Sequence, residues 1–198
     1  RNARQQSVVK EINGKWGNAQ TLMGPVISIP YKIIYENREG KRTQKTKYLH
    51  LLPKSLHIQS RILPEVRFRG IYEAILYNTQ LTLEGNFNLS PVEDLQVDAE
   101  NIIWSGAIIA LGISDMRGIK DRIGGAFNGK EIAVDPGIGT SDVISSGASS
   151  GVGISKEQHD YAFKFNINLN GSRRLNFTPV GRVTTVSVSS SWQTPSFG

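Results

Sequence analysis

Residues Tyr161-Ala162-Phe163-Lys164-Phe165-Asn166-Ile167-Asn168-Leu169 alternate apolar and polar side chains over nine positions. A period of two is the pattern of a β-strand with one buried face. Asn170-Gly171 follows directly, and this dipeptide is typical of tight hairpin turns because both residues tolerate positive φ. We therefore predict a hairpin here, with a return strand that begins at Leu175 and Phe177.

Strand signals dominate the rest of the chain. The clearest ranges are 26–35, 48–52, 56–63 and 183–192, and a second Asn-Gly pair at 128–129 predicts a short hairpin. Pro25 and Pro30 suggest an edge or a bulge in the first of these strands. Residues 68–77 and 102–113 are apolar on both faces, and for 68–77 the pattern leaves strand and short helix open. Ten or more short strands without a βαβ rhythm predict one all-β domain over residues 1–198, an antiparallel β-sandwich.

Three segments depart from the strand pattern. Residues 1–17 have helical spacing of apolar residues and predict a short N-terminal helix. Ser114-Asp115 predicts the cap of a short helix over residues 116–121. Residues 136–153 are rich in Gly, Ser and Thr, and we expect them to form a flexible loop.

The composition excludes several classes of protein. The chain of 198 residues has 38% hydrophobic residues and no run approaching the ~18 apolar residues of a transmembrane helix. It contains no cysteine and three histidines, which excludes thiol catalysis, disulfides and thiolate metal sites. The chain opens on Arg1 and closes on Pro195-Ser196-Phe197-Gly198, so we expect it to be part of a longer protein.

The positive charge is concentrated in one region. Residues 36–69 hold nine Lys and Arg against three Glu, which equals the net charge of +6 for the whole chain. A basic hairpin here would attract phosphate-bearing or other anionic partners, although a solvated hairpin whose lysines prevent edge pairing explains it too. The candidate contact residues are Arg38, Lys41, Arg42, Lys45 and Lys47.

Motifs for catalysis or metal binding are weak. Residues 147–151 match G-x-S-x-G, but Ser149 lies in a Gly/Ser-rich stretch rather than between a strand and a helix. The three histidines do not have the spacing of a metal site, so we interpret His50, His57 and His159 as structural. The acidic run 93–100 lacks the spacing of a calcium loop. We therefore predict no catalytic residue, no metal site and no cofactor, with a hydrolase at Ser149 as a remote alternative.

Ordered blocks along the chain resemble a known family. They are residues 4–5, 22–31, 52–56, 69–72 with Tyr77, 81–87, 114–119 and 192–198, and they span nearly the whole sequence. In this order the blocks resemble the family of the inner membrane protein CreD, also called the cell envelope integrity protein. None of the blocks is a chemical motif by itself, so their order carries the resemblance.

The resemblance implies an extracytoplasmic domain between membrane helices, with residues 1–17 continuing from a membrane anchor. It implies a periplasmic location and a role in envelope integrity and the response to envelope stress. It implies no catalytic residue, and Asp115 with Arg117 is better explained as a turn with a local ion pair.

Two hypotheses about function follow. The first is a non-enzymatic domain that contacts another envelope component, whether protein, anionic lipid or murein, through the basic region 36–69. The second is a glycan-binding module for murein, for which Trp16, Trp104 and Trp192 would have to be exposed. Nucleic-acid binding is disfavoured by the implied compartment, and contact with the membrane is expected through helices outside this stretch.

Overall fold

The computed structural model describes residues 11, 14, 16–36, 40–69, 71–93 and 97–192. Its strands are β1 (Gln20–Glu36), β2 (Arg42–Leu51), β3 (Ser55–Arg69), β4 (Tyr72–Asn88), β5 (Ile108–Ile113), β6 (Gly124–Phe127), β7 (Lys130–Ala133), β8 (Asp135–Pro136), β9 (Gly147–Gly151), β10 (Asp160–Ser172), β11 (Leu175–Thr178) and β12 (Val183–Ser190). A helical turn covers Ser90–Glu93, and 3₁₀ turns cover Ala99–Asn101, Trp104–Gly106 and Met116–Gly118. The predicted all-β class is confirmed.

The strands form two six-stranded sheets that pack face to face. In the first sheet the order is β11-β1-β5-β9-β8, with β2 also paired to β1; in the second it is β12-β3-β4-β10-β6-β7. Most pairs are antiparallel, but β11 runs parallel to β1 and β12 runs parallel to β3. The core lies between the sheets, because the alternating inner side chains of both contribute to one cluster. Its largest fully buried members include Tyr161, Phe87, Phe165, Leu22, Ile27, Ile29, Leu56, Leu83 and Leu111.

The predicted hairpin at Asn170-Gly171 is wrong, although the alternating strand before it is confirmed. Both residues lie inside β10, which continues to Ser172, and the chain turns at Arg173, whose φ is 65°. A Cβ at Gly171 would meet the phenol ring of Tyr77, so the position requires glycine for space and not for a turn. Beyond the turn, β11 crosses to the other sheet and pairs with β1. Asn128-Gly129 does form the predicted hairpin between β6 and β7, with φ of 50° and 79°.

The stretch 136–153 differs from the flexible loop expected of it. Gly147–Gly151 forms β9 and pairs with β5 from Gly112 to Ile108. Ala148 and Ile144 are buried, and Ile144 packs with Val26 and Ala110 on the outer face of the first sheet. A glycine is needed at position 147 because its backbone lies against the Leu111 carbonyl, where a Cβ atom would overlap the oxygen. A Gly/Ser-rich composition therefore marks a packed strand in this part of the chain.

The remaining predictions have mixed outcomes. Asp115 caps a 3₁₀ turn that is shorter than the helix predicted over 116–121, and its side chain accepts a hydrogen bond from the Arg117 amide. Residues 68–77 form neither one buried strand nor a helix, because β3 ends at Arg69 and β4 starts at Tyr72. β1 carries a register shift between Met23 and Val26, which is the bulge suggested by Pro25. Most of the predicted helix over 1–17 lies outside the described residues.

No helix in the described ranges is long and apolar enough to cross a membrane.

Candidate functional site

A two-stranded ribbon extends from one end of the sandwich. We define the β1–β2 ribbon as residues 31–36 of β1 and 42–47 of β2, which pair from Tyr31 with Lys47 to Glu36 with Arg42. β1 pairs with β5 only as far as Ser28, and the ribbon starts where Ile103 donates a hydrogen bond to the Pro30 carbonyl at 2.8 Å. Beyond that point the two strands are bonded chiefly to each other, so their side chains on both faces reach solvent.

The basic side chains of the ribbon lie on both of its faces. Lys45 and Lys47 alternate with Leu49 and so share the face that becomes the core further along β2, while Arg42 lies on the opposite face. Lys41, Arg42, Lys45 and Lys47 are all exposed, and Arg38 lies outside the described residues. Among the residues that the structure describes, Arg42, Lys45 and Lys47 have no ion-pair partner. The ribbon can therefore offer point charges to an anionic partner at little desolvation cost.

The basic region 36–69 is not one surface. Arg67 lies near the far end of β3, where its Nε binds Glu65 Oε1 at 2.7 Å and its guanidinium lies 4.2 Å from the ring centre of Trp16. That end of β3 is beside Gly171 and Ser172, whereas the β1–β2 ribbon leaves the sandwich beside Ile102. The structure thus brings together Lys41, Arg42, Lys45 and Lys47 but separates them from Arg67. Sequence proximity could not show this division, because it depends on the direction in which each long hairpin runs.

A polar cluster at Asp115 joins three parts of the chain. The Asp115 carboxylate accepts hydrogen bonds from Arg117 Nε and Nη2, both at 2.8 Å, and from the Asn18 side chain at 2.9 Å. The bond from Arg117 lowers the pKa of Asp115 to about 2. Buried Gln20 links the cluster to β10 by donating to the carbonyls of Asp115 and Asn170, both at 3.0 Å. With its bonds satisfied internally, this cluster ties the start of β1 to the rest of the fold.

The G-x-S-x-G match lies in a strand. Ser149 is in the middle of β9, paired with Ala110 on one side and Asp135 on the other. A nucleophile elbow needs a sharp turn from a strand into a helix so that the hydroxyl is presented above the sheet. An extended strand does not present Ser149 in that way.

The three histidines lie in different surroundings. His50 Nδ1 is 2.9 Å from Ser28 Oγ and its Nε2 is 3.5 Å from Asp142 Oδ2, a Ser-His-Asp contact that no spacing in the sequence indicates. Ser28 is only 4% exposed, so this contact ties residues 137–146 to the sheet and offers no accessible nucleophile. His57 is exposed on β3, and His159 is half-buried after β9. Within the described ranges no group of three or more His, Asp or Glu could hold a metal ion.

The tryptophans do not form an exposed platform. Trp16, Trp104 and Trp192 are each half-buried. Trp104 packs against the core, and Trp16 donates from Nε1 to the Tyr77 carbonyl at 3.1 Å. The glycan-binding hypothesis required exposed tryptophans, and these half-buried side chains do not meet that condition.

A shallow cavity of about 290 Å³ lies near the foot of the β1–β2 ribbon. Its wall is mostly apolar, with Ile102 and Trp104 on one side, and His159 and Lys156 supply its polar groups. The Nδ1 atom of His159 is buried and has no hydrogen-bond partner among the residues that the structure describes.

The fold and the ribbon define an all-β domain with a basic hairpin at one end. The family model for the inner membrane protein CreD matches residues 1–198. The CreD inner membrane protein of Escherichia coli (strain K12) is 31% identical over an alignment of 186 residues, and the match covers 90% of this chain and 40% of that protein. The chain therefore belongs to the CreD family of inner membrane proteins, and it spans less than half the length of this curated relative. No solved structure matches the chain significantly.

Proposed function

We propose that this chain is a periplasmic domain of a CreD-type inner membrane protein. In this role it contributes to envelope integrity and the response to envelope stress by contacting an anionic envelope component, without catalysing a reaction. The β1–β2 ribbon is the contact surface. The observation that carries this proposal is the group of exposed cations Arg42, Lys45 and Lys47 on a ribbon that leaves the sandwich, with exposed Lys41 directly before it.

The charge pattern supports an anionic partner. The ribbon carries most of its charge on β2, and exposed lysines are flexible cations that suit a polymer or lipid surface better than a single small ligand. Ile34 and Tyr35 are also exposed on the ribbon. An aromatic and an aliphatic side chain among cations add contact area to an electrostatic attraction.

The absence of a reaction is proposed on the geometry of the two serine candidates. Ser149 lies mid-strand, and the hydroxyl of Ser28 is buried beneath the segment that carries Asp142. An assay with Ser149→Ala and Ser28→Ala against ester and peptidoglycan substrates tests this part of the proposal. Hydrolysis by the parent chain that either substitution removes would contradict it.

Co-sedimentation tests the contact. The purified 198-residue chain is mixed with isolated murein and, separately, with vesicles of phosphatidylglycerol and phosphatidylcholine at low and high salt. We expect binding to at least one of these that weakens with salt, because exposed charges are screened within a Debye length of about 8 Å at physiological ionic strength. Arg42→Gln/Lys45→Gln/Lys47→Gln should lower the affinity at least about tenfold at low salt.

A charge-matched variant is the control. Lys54, Arg61 and Arg182 are exposed cations outside the ribbon, and Lys54→Gln/Arg61→Gln/Arg182→Gln removes the same charge. Equal losses in both triple variants would mean that net charge alone drives binding, and the ribbon would lose its assigned role. Salt-resistant binding to murein, unchanged in the ribbon variant, would favour the glycan-binding module instead.

A further inference from the structure

A second two-stranded ribbon leaves the opposite end of the sandwich, and one of its faces is apolar and uncovered. We define the β3–β4 tip as residues 64–69 and 71–77. Val66 pairs with Ile75 and Phe68 with Glu73, on the same face as the core pair of Ile58 with Leu83. Phe68 is 69% exposed and Ile71, in the turn, is 83% exposed. Contiguous apolar side chains exposed on a hairpin mark a contact surface.

The other face of the tip is covered. Ala74 and Leu76 are buried there, and Trp16 reaches the Tyr77 carbonyl with its ring beneath the Arg67 guanidinium. The inner face lacks such cover because the facing sheet ends at the level of Tyr77, whose hydroxyl donates to the Arg174 carbonyl at 2.8 Å. The exposed apolar side chains are thus a consequence of the length of β3 and β4 beyond the core.

Cations lie beside both faces of the tip. Lys120 Nζ lies 5.9 Å from the ring centre of Trp16 on the covered face, and Arg173 and Arg174 directly follow Ser172, which pairs with Leu76. All three side chains are exposed and have no ion-pair partner among the described residues. Glu73 is the acidic side chain paired with Phe68. An apolar centre with a cationic rim is the pattern of a surface that rests on anionic lipid headgroups.

Both ends of the described chain reach this end of the sandwich. Asn18 accepts a hydrogen bond from the Ser172 amide at 3.1 Å, and β12 runs parallel to β3 until Ser190 pairs with Ile62, heading toward the tip. The matched part is only 40% of the E. coli inner membrane protein. Asn18 and Ser190 therefore both lie at the end of the sandwich that carries the β3–β4 tip.

We infer that the β3–β4 tip is the surface by which this domain rests on an anionic lipid bilayer, with Phe68 and Ile71 entering the headgroup region. Val66 and Ile75 extend the apolar contact, and Lys120, Arg173 and Arg174 face lipid phosphates. The inference deepens the proposed function, because it assigns the membrane to one end of the domain and leaves the β1–β2 ribbon at the other.

Vesicle binding by the 198-residue chain tests the inference. The probes are vesicles of phosphatidylglycerol and phosphatidylcholine at 1:3 and vesicles of phosphatidylcholine alone. We expect binding to the anionic vesicles that falls with salt but persists in part, and Phe68→Ser/Ile71→Ser should lower the affinity at least about tenfold. Glu73→Gln should strengthen binding, because it removes the negative charge beside Phe68.

The control replaces two exposed apolar side chains elsewhere. Leu52 and Val183 are exposed near the start of β3, away from the tip, and Leu52→Ser/Val183→Ser should bind like the parent chain. Thermal melting followed by circular dichroism checks that every variant folds. Parent-like binding by Phe68→Ser/Ile71→Ser, or a chain that binds neither vesicle, would overturn the inference.

Two further outcomes separate this inference from the proposed function. If the substitutions in the β1–β2 ribbon abolish vesicle binding and those in the tip do not, the inference fails while the proposed anionic contact stands. If the ribbon variant binds vesicles and murein as the parent does, the proposed contact through the β1–β2 ribbon fails. The vesicle affinity of Phe68→Ser/Ile71→Ser then decides the inference about the tip. A concentration-dependent dimer that Phe68→Ser/Ile71→Ser abolishes would assign the tip to a second copy and overturn the bilayer contact.

Discussion

At the scale of single residues, Asp115 connects the start of β1 to the 3₁₀ turn that follows β5. Its carboxylate accepts bonds from Asn18 and Arg117 and is only 10% exposed, whereas the Arg117 side chain is 63% exposed. The sequence indicated both the cap and the ion pair, because Ser114-Asp115 precedes a short helical pattern and Arg117 is two residues away. The bond to Asn18 could not be predicted, since 97 positions separate the two residues.

Replacement of Asp115 by Asn should destabilise the fold by about 1 kcal/mol at pH 7. The folded-state pKa of Asp115 is lowered from 3.8 to about 2, so its charge stabilises the fold above pH 4. That contribution is lost as the pH falls through 4 toward 2. Urea denaturation between pH 7 and pH 2 should therefore show a difference between parent and Asp115→Asn that shrinks in acid.

Glu65→Gln is the comparison for this prediction. It removes a carboxylate from another pair with arginine, but the Glu65 side chain is 44% exposed, against 10% for Asp115. We expect a change within about 0.5 kcal/mol. A loss as large as that of Asp115→Asn would show that the Asp115 cluster has no special role.

At the scale of elements, strands with one solvent-exposed face were predictable from the sequence, whereas the strands with which they pair were not. The alternation over Tyr161–Leu169 identified β10, and Asn128-Gly129 identified the β6–β7 hairpin, because both signals act over a few neighbouring residues. The parallel pairs of β11 with β1 and β12 with β3 join segments more than 100 residues apart. Gly171 shows how a local rule fails, since the glycine there provides room for Tyr77 instead of a turn.

Gly171→Ala should destabilise the fold by at least about 2 kcal/mol, because its methyl group would overlap the Tyr77 ring within the sheet. Gly151→Ala is the matched control, as it also replaces a strand glycine but has no atom within 4 Å of the added carbon. Chemical denaturation of both variants measures the difference. Similar midpoints for the two would indicate that β10 does turn at Asn170-Gly171.

The same reasoning applies to the two candidate surfaces. The basic residues of the β1–β2 ribbon were predictable from composition, because charge counts need no knowledge of topology. The β3–β4 tip was missed, since apolar residues on both sides of a turn resemble a buried segment when the sequence is examined alone. Gly70 between Arg69 and Ile71 was the available signal for a turn.

At the scale of the whole molecule, the two ribbons leave opposite ends of the sandwich. The β3–β4 tip lies beside Gly171 and the start of β1, and the β1–β2 ribbon leaves beside Ile102. A domain that rests on a bilayer through the tip therefore presents its basic ribbon to the space beyond the membrane. If both proposals hold, the two surfaces can bind different partners at the same time.

Cysteine labelling on vesicles tests this arrangement, because the chain has no native cysteine. Ile71→Cys should react with a water-soluble maleimide at least about fivefold more slowly when anionic vesicles are added, since a thiol in the headgroup region is shielded from water. Thr46→Cys on the β1–β2 ribbon should keep its rate. Protection of Thr46→Cys with free reaction of Ile71→Cys would reverse the orientation.

The length of β1 has a mechanical consequence. Its 17 residues cover roughly 55 Å at about 3.3 Å per residue, from the end of the sandwich beside Asn18 to the end of the β1–β2 ribbon. Along this path β1 is bonded in turn to β11, β5 and β2. A force that pulls the ribbon away from a membrane acts along β1 and across these hydrogen bonds, so they bear the load together instead of opening one by one. If both proposed contacts hold, β1 is the strand that carries tension between the bilayer and the partner of the ribbon.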